Sequence, residues 1–530
     1  MTSSQLPSGR RGRFLSGSNL RGLGIAAGMT ALIVAVGMPG WGAGVVASPT
    51  DPTPVVSDGL DPIIVTPSDT PTPTLSSSPS TSASPSTSAT SKPSPTPSAS
   101  KPSPTPSASL TKDSSGRTTI GSSSPTPNPT APNPYANLPM GPGVTKTTIT
   151  VGVAYSIHAS SYARFGIEVS DIDHQKQAQA IINWINNSGG IAGRKVVPYW
   201  HALDLALSLN GSDEGSKACT AFTQDTTVFG VVSESSLNNQ CFADHKIPLI
   251  ASDLGTSTGM YRQYADYLYS PSGVATNDRL AVYIRGLARA GFFAATAPGQ
   301  SGPAKIGVIT FGQLQADLEP QVSARLAEFG LSVEKWGQAA NDASNTQQLV
   351  LQMKQAGVTH ILSPEYSPIF FQKTSESQDF HPLYGISSAM SPAIIAANAA
   401  GAQLAGSMAI SWLPHSDVPV SQDTTDFSNS MKVCRGIMSK AGLSTVRVDM
   451  ASAYNLCDSF FALKVSLDTA KALTPSGLRQ AYEAIGVWDS PVTFMAKLGP
   501  GHHDGAIAYK VAVYDSGCGC YNYTGSLNQF

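Results

Sequence analysis

The chain is poor in charge. Only 13% of its 530 residues are Asp, Glu, Lys or Arg, about half the share usual in a globular protein. Neither sign is in excess: 33 basic residues against 35 acidic ones leave a formal net charge of −2. No basic surplus exists to neutralise phosphates, so nucleic acid is not an expected partner. Aromatic side chains are missing between Trp41 and Tyr135. Residues 48–140 are mainly Ser, Thr, Pro and Ala, a composition that buries too little apolar surface to offset its ordering entropy. Cysteine is absent before Cys219, which excludes lipid attachment directly behind an N-terminal apolar run.

Such a run is present. Residues 1–22 carry Arg10, Arg11, Arg13 and Arg21 and no acid, and an uncharged stretch follows from Gly22 to Ser48. Residues 1–47 read as an export signal or N-terminal membrane anchor, with Val45-Val46-Ala47 as a small-residue cleavage site. Pro39, Trp41 and the glycines weaken the run as a permanent span. Arg10-Arg11 hints at twin-arginine export, but RRGRFL has one residue too many before Phe14-Leu15. The positive-inside rule places the remainder outside, at the outer face of the membrane, in the wall or secreted. All six cysteines lie downstream of this signal, which suits an oxidising compartment.

Residues 48–140 then read as a disordered linker. KPSPTPSAS occurs twice in tandem, at 92–100 and 101–109. Proline at this density favours extended polyproline II, about 3.1 Å per residue. The reading favoured is a spacer through a cell wall rather than a passive tail, with Ser/Thr sites suited to O-glycosylation.

From residue 141 onward, apolar β-rich runs alternate with helical patterns. Strands are expected at 148–155, 195–201, 228–232, 248–251, 305–311, 359–363, 382–386 and 408–412, with a β-rich end at 506–515. Helices are expected at 171–187, 216–224, 236–245, 278–291, 314–329, 344–356, 428–441, 450–471 and 475–485. Such alternation gives an α/β fold of doubly wound parallel sheets covered by helices on both faces. A break near 292–304 divides it into two lobes, about 145–290 with 412–490, and about 291–411 with 491–530. Ligands of such sheets sit beyond the carboxyl ends of the strands, here between the lobes.

Several segments in this order resemble the type I periplasmic-binding fold, in its branched-chain amino-acid-binding branch. They are VTKTTITVGVAYS at the start, INNSGGIAGRKVVPYWHALD at 185–204, KACTAFTQDTTVFGVVS at 217–233, IPLIAS at 247–252, then KIGVITF, VTHILSPEY and HPLYGISS. The resemblance spans about 145–515. It implies a two-lobed protein that closes on a small polar solute and delivers it to an ABC permease, as a monomer, without cofactor or metal. It further implies ligand contacts from Ser233, Glu234, Ser235 and Ser236, and from Ala251, Ser252 and Asp253. Small hydroxyls and free N–H groups at strand ends suit such contacts, although Ser235 and Ser236 also fit a plain helix N-cap. In the second lobe Tyr366 matches a tyrosine that closes over ligand, and Ser387 completes closure. Glu365 is open between cation binding and a hinge salt bridge. Where amino-acid binders of this branch place an acid for the ligand's ammonium, the sequence has Gly385-Ile386-Ser387-Ser388. Unless Glu234, Asp253 or Glu365 substitutes, an amide, small acid or other polar metabolite is the expected ligand.

The resemblance also pairs Cys219 with Cys241. Cys434 and Cys457 lie on consecutive expected helices and can staple them. Cys518 and Cys520 form a tight ring or pair elsewhere; six cysteines allow 15 connectivities. A metal site from Cys518/Cys520 with His502/His503 fits no standard zinc spacing. Two rival functions stay open. One is a sensing or protein-interaction domain of the same fold. The other is a secreted serine hydrolase, since Gly255-Thr256-Ser257-Thr258-Gly259 matches G-x-S-x-G, with His502 or His503 as the late histidine.

Overall fold

The computed structural model describes residues 111–120, 135–158, 172–204, 212–297, 299–311, 315–339, 343–365, 367–419 and 428–530. The export segment, most of the expected linker and Tyr366 lie outside these residues.

Five short apolar runs form the first sheet: β1 (Thr148–Ile157), β2 (Lys195–Asp204), β3 (Gly230–Ser233), β4 (Leu249–Ala251) and β5 (Leu268–Tyr269). All pair in parallel, in the order β2-β1-β3-β4-β5. β3 and β4 are buried at every position, as expected of strands covered on both faces. Between them lie α1 (His174–Asn187), α2 (Ser212–Gln224), α3 (Asn239–Asp244) and α4 (Thr258–Gln263). Local chemistry starts these helices. Asp173 caps α1 by accepting from the Lys176 N–H, and Asn238 caps α3 from Cys241; such caps satisfy otherwise orphaned donors.

The second sheet repeats the scheme. β6 (Ile306–Phe311), β7 (Val333–Ala339), β8 (His360–Leu362), β9 (Leu383–Ser387) and β10 (Met408–Ser411) are parallel, in the order β7-β6-β8-β9-β10. Two antiparallel strands, β13 (Ala508–Asp515) and β14 (Cys520–Gln529), extend it beyond β10. The small antiparallel pair β11 (Gly486–Trp488) and β12 (Ala496–Leu498) precedes them. The second sheet is thus mixed rather than purely parallel. In both sheets the order reverses once, between β1 and β3 and between β6 and β8. Those are the points where doubly wound sheets open a crevice at their strand ends.

The cores show where the chain passes from one sheet to the other. Helix α5 (Thr276–Arg289) was expected with the first lobe. Its Leu280, Tyr283, Ile284 and Leu287 instead join the core of the second sheet. The first passage therefore lies at about 270–275, not near 291. Helices α6 (Gln315–Ala327), α7 (Ala343–Gln355), α8 (Ile369–Ser377) and α9 (Pro392–Asn398) cover the second sheet. After Trp412 the chain returns: α10 (Asn429–Lys440), α11 (Ala451–Thr469) and α12 (Pro475–Glu483) pack in the core of the first sheet. Ser428 caps α10 and Thr474 caps α12. α11 is buried around nearly its whole circumference, which explains its continuous apolar sequence.

One segment of the expected linker has a fixed place. Lys112 bridges Thr118 in an antiparallel turn, and Thr118 bridges Trp488 of β11 in parallel. The Thr118 N–H donates to Val487 O at 2.7 Å, and the Asp489 N–H donates to Thr118 O at 2.9 Å. The Thr119 hydroxyl donates to Asp489 at 2.9 Å, and Ile120 enters the first core.

Candidate functional site

The strand ends of the first sheet carry the expected small polar residues, all buried. Ser233 ends β3 and Ala251 ends β4. Neither Ser235 nor Ser236 caps a helix, because Asn238 fills that role for α3. The Ser236 hydroxyl donates to Leu254 O at 2.8 Å. The Ser235 hydroxyl has no partner among the described residues. Ser252 donates to Asn455 of α11 at 2.8 Å, tying the β4 loop to the helix beneath it.

The two acids of this lobe are committed to the protein's own groups. Glu234 accepts from the Ser156 N–H at 2.6 Å and contacts His174 Nδ1 at 2.6 Å. Burial pushes its acid up, but the His174 charge and these hydrogen bonds outweigh it, and the net shift is downward. A carboxylate is thus held ionised inside the protein by one histidine and one backbone donor. Asp253 accepts from the Gly255 N–H at 2.9 Å and from Arg279 Nη2 at 2.7 Å.

Arg279 is the site residue that the sequence reading missed. It stands in the first turns of α5, 1% exposed, between loops of both sheets. Nη2 holds Asp253 after β4, and Nη1 lies 3.5 Å from Glu365 after β8. The Asp253–Arg279–Glu365 chain therefore joins the two lobes at their strand ends. Burial pushes Glu365 up to about 7; Arg279 pulls it down and Asp253 pushes it further up. Of the two roles left open for Glu365, the salt bridge is the one present. A signal for Arg279 existed. It lies four residues before Tyr283 on the buried face of α5, and a charge on an apolar stripe needs a partner.

On the second sheet, Tyr283 Oη donates to Gly385 O at 2.5 Å and accepts from the Ser363 N–H at 3.1 Å, locking the ends of β8 and β9 together. Ser387 ends β9; its hydroxyl is buried and without a partner among the described residues, as is that of Ser367. The structure thus brings Asp253 and Glu365 together through Arg279. It places Glu234 in a separate pair with His174.

The six cysteines form Cys219–Cys241, Cys434–Cys457 and Cys518–Cys520. The last closes the ring within the turn between β13 and β14. His245 lies beside Cys219 and Cys241, but sulfurs bonded to each other offer no thiolate to a metal. His503 contacts Leu268 O at 3.0 Å and Glu483 at 3.1 Å. Ser257, the hydrolase candidate, caps α4 by accepting from the Met260 N–H at 3.2 Å. Its backbone is ordinary extended chain, φ −84° and ψ 158°, and β4 ends six residues earlier. A nucleophile elbow needs a sharp turn directly after its strand, which this serine lacks.

No family model matches the chain, and no curated protein matches it. Solved structures do. A fatty acid ABC transporter substrate-binding protein from Thermomonospora curvata is 16% identical, covers 74% of this chain and 95% of its own, and has a TM-score of 0.51. A periplasmic binding protein type 1 from Bordetella pertussis Tohama I is 14% identical, with 72% and 100% covered and a TM-score of 0.52. An ABC transporter substrate-binding protein from Aeropyrum pernix is 12% identical, with 72% and 96% covered and a TM-score of 0.55. At such identities the likeness speaks for architecture. With two sheets of one winding order meeting at their strand ends, the chain has the type I periplasmic-binding fold.

Proposed function

We propose that the protein is an extracytoplasmic solute-binding protein that captures a small polar metabolite between its lobes for an ABC permease. One observation carries the reading. Buried groups with no hydrogen-bond partner among the described residues stand at the strand ends of both sheets, Ser235 on one side and Glu365, Ser367 and Ser387 on the other. Buried polar groups are normally satisfied, and groups at two facing strand ends can be satisfied together by one solute. The mechanism is reversible closure, in which ligand contacts to both lobes select the closed state. Structural neighbours that serve ABC transporters support the same reading. Residues 1–47 direct export, the Pro/Ser/Thr-rich segment spans the wall, and the protein acts without catalysis. Among the described residues no helix is long and apolar enough to cross a membrane.

The test is a thermal-shift screen of the full chain, disulfides intact, against amino acids, amides, urea, polyamines, small carboxylates and sugars. A solute at 100 times its dissociation constant adds about 2.7 kcal/mol, a readily visible shift. A cooperatively melting protein that none of them shifts would overturn the reading. Tyr366, next to Glu365, is assigned to the lid over the bound solute. Tyr366→Ala is expected to weaken binding at least tenfold while leaving the ligand-free melting temperature within a few degrees. Unchanged affinity would remove Tyr366 from the site.

A further inference from the structure

The three disulfides differ in what they hold. Cys219–Cys241 ties α2 to α3 and Cys434–Cys457 ties α10 to α11, across sequence separations of 22 and 23. Cys219, Cys434 and Cys457 are fully buried. Cys518–Cys520 spans a separation of 2. It sits in the turn of the β13–β14 hairpin, whose strands pair from Ala508↔Gln529 up to Asp515↔Cys520. The Tyr514 and Tyr521 rings meet edge-on at 5.6 Å one pair further back. The backbone ladder thus closes the hairpin as far as the ring itself. So short a loop also removes the least entropy from the unfolded chain, so this bond gives the fold the least of the three. It is nevertheless presented to solvent: Ser516, Gly517, Cys518 and Gly519 are exposed, whereas Cys520 is 5% exposed. Gly519 turns the ring at φ 63°, in the left-handed region that glycine enters without steric cost.

We infer that Cys518–Cys520 is a thiol–disulfide exchange site that oxidises an external dithiol, an activity separate from solute capture. Exposed disulfides are the ones that thiolates reach, and the exposure of Cys518 makes it the sulfur attacked. A substrate thiolate bonds to Cys518 Sγ, the Cys518–Cys520 bond breaks, and Cys520 leaves as a thiolate that takes a proton from water. The substrate's second thiolate then attacks the substrate sulfur of this mixed disulfide, and Cys518 leaves. The dithiol ends as a cyclic disulfide and the two cysteines as thiols, with two electrons and two protons passed between them. Asn522 is the positioning residue for the second step. Its Nδ2 lies 3.7 Å from Cys518 Sγ, and a donor beside a thiolate favours the charged form. Asp515, the acid of the turn, opposes that charge, but its oxygens already accept from the Gly517 N–H at 2.8 Å and the Asn522 amide at 2.9 Å. The substrate is a dithiol because a tethered second thiol acts at high effective concentration, whereas a monothiol stops at the mixed disulfide.

The test treats the oxidised full chain with dithiothreitol, with 2-mercaptoethanol, with a peptide carrying Cys-x-x-Cys, and with the same peptide after one cysteine is replaced by serine. Alkylation followed by peptide mass analysis reports which cysteines have been reduced. Cys518 and Cys520 are expected to be reduced at least tenfold faster than the other four, with one dithiol oxidised per chain. The two monothiols are expected to leave mixed disulfides on Cys518. Faster reaction with the peptide dithiol than with dithiothreitol would assign the substrate to a protein, and the reverse to a small molecule. The double variant Cys518→Ser with Cys520→Ser is expected to abolish dithiol oxidation and to keep its melting temperature within a few degrees of the wild type. Asn522→Ala is expected to leave the monothiol reaction unchanged and to slow release of the oxidised dithiol at least threefold. Equal reduction of the three disulfides, or earlier loss of Cys219–Cys241 or Cys434–Cys457, would overturn the inference, as would mixed disulfides on Cys520. A double variant that fails to fold would overturn it as well, by making the bond a staple of the hairpin.

Discussion

At the scale of single residues, the buried acids divide by whether their partners outweigh the cost of burial. Glu234 receives a backbone N–H and a histidine and is held below its ordinary range. Asp417, in the one-turn helix Pro414–Asp417, is fully buried and pushed up to about 8. Burial drives that rise, against the Ser388 hydroxyl, the Leu413 N–H, the Arg447 charge and the Tyr523 hydroxyl, which lower it. In the unfolded chain the group titrates near 3.8. The folded state therefore holds the proton more tightly, and the stability this contributes is complete below the unfolded pKa and lost as pH rises through the folded one. Asp417→Asn cannot ionise and keeps an acceptor for Ser388. Its melting temperature is expected to fall less between pH 4 and pH 8 than that of the wild type, the two curves diverging as pH rises. Parallel curves would show that Asp417 ionises alike in both states. The sequence hid such distinctions. It displays Glu234, Asp253 and Glu365 as equivalent acids near strand ends, and only the placement of His174 and Arg279, at 60 and 26 residues' remove from Glu234 and Asp253, tells them apart.

At the scale of elements, legibility followed burial. The inner strands β1, β3, β4, β6, β8 and β9 are apolar runs because both faces are covered, and their patterns stood out in the sequence. β7 (VEKWGQA) and β14 (CYNYTGSLNQ) did not, because they lie at the edges of the second sheet. Edge strands keep polar side chains towards solvent. The same reasoning missed the arm at 111–120. It is as rich in Ser and Thr as the surrounding linker and carries a single large apolar residue, and it gains a place by adding backbone hydrogen bonds to β11 and burying that isoleucine. Arg117 adds an ion pair to the buried Asp489 at 3.4 Å. Removing residues 1–120 would forfeit the burial of Ile120, about 1.5–3 kcal/mol, and strip Asp489 of Thr119 and Arg117. The truncated protein is expected to unfold at lower urea than one beginning at residue 107, by about 2–4 kcal/mol. Coincident unfolding curves would show that the arm is held without contributing to stability.

At the scale of the whole molecule, the chain passes between the two cores at about 270–275, beyond Trp412, and between Leu498 and Ala506, and the proposed closure turns on these passages. The first and third run side by side. The Ser270 N–H donates to His503 O at 2.7 Å, the Gly505 N–H to Ser270 O at 2.9 Å and the Ala506 N–H to Gly273 O at 3.0 Å. The Asp504 carboxylate accepts from the Ala275 N–H at 2.9 Å. Two passages bonded this closely are expected to move as one strap, which would restrict the proposed closure to a hinge-like path. The strap tolerates no side chain at Gly505, where an added Cβ would lie 1.9 Å from Pro271 O. Backbone carbonyls cannot rotate aside as a flexible side chain can, so the two passages would have to separate. Gly505→Ala is expected to cost about 1–3 kcal/mol in urea unfolding and to weaken solute binding, because the lobes would no longer share one axis. Gly436 in α10 is the control: an added Cβ there meets nothing within 4 Å, and Gly436→Ala should stabilise by about 0.5–1 kcal/mol with affinity unchanged. If both variants unfold and bind as the wild type does, the strap is looser than its hydrogen bonds imply. If Gly505→Ala loses stability but keeps full affinity, the strap serves the fold, and the closing axis lies in the passage beyond Trp412, where Asp417 ties Ser388 to Leu413.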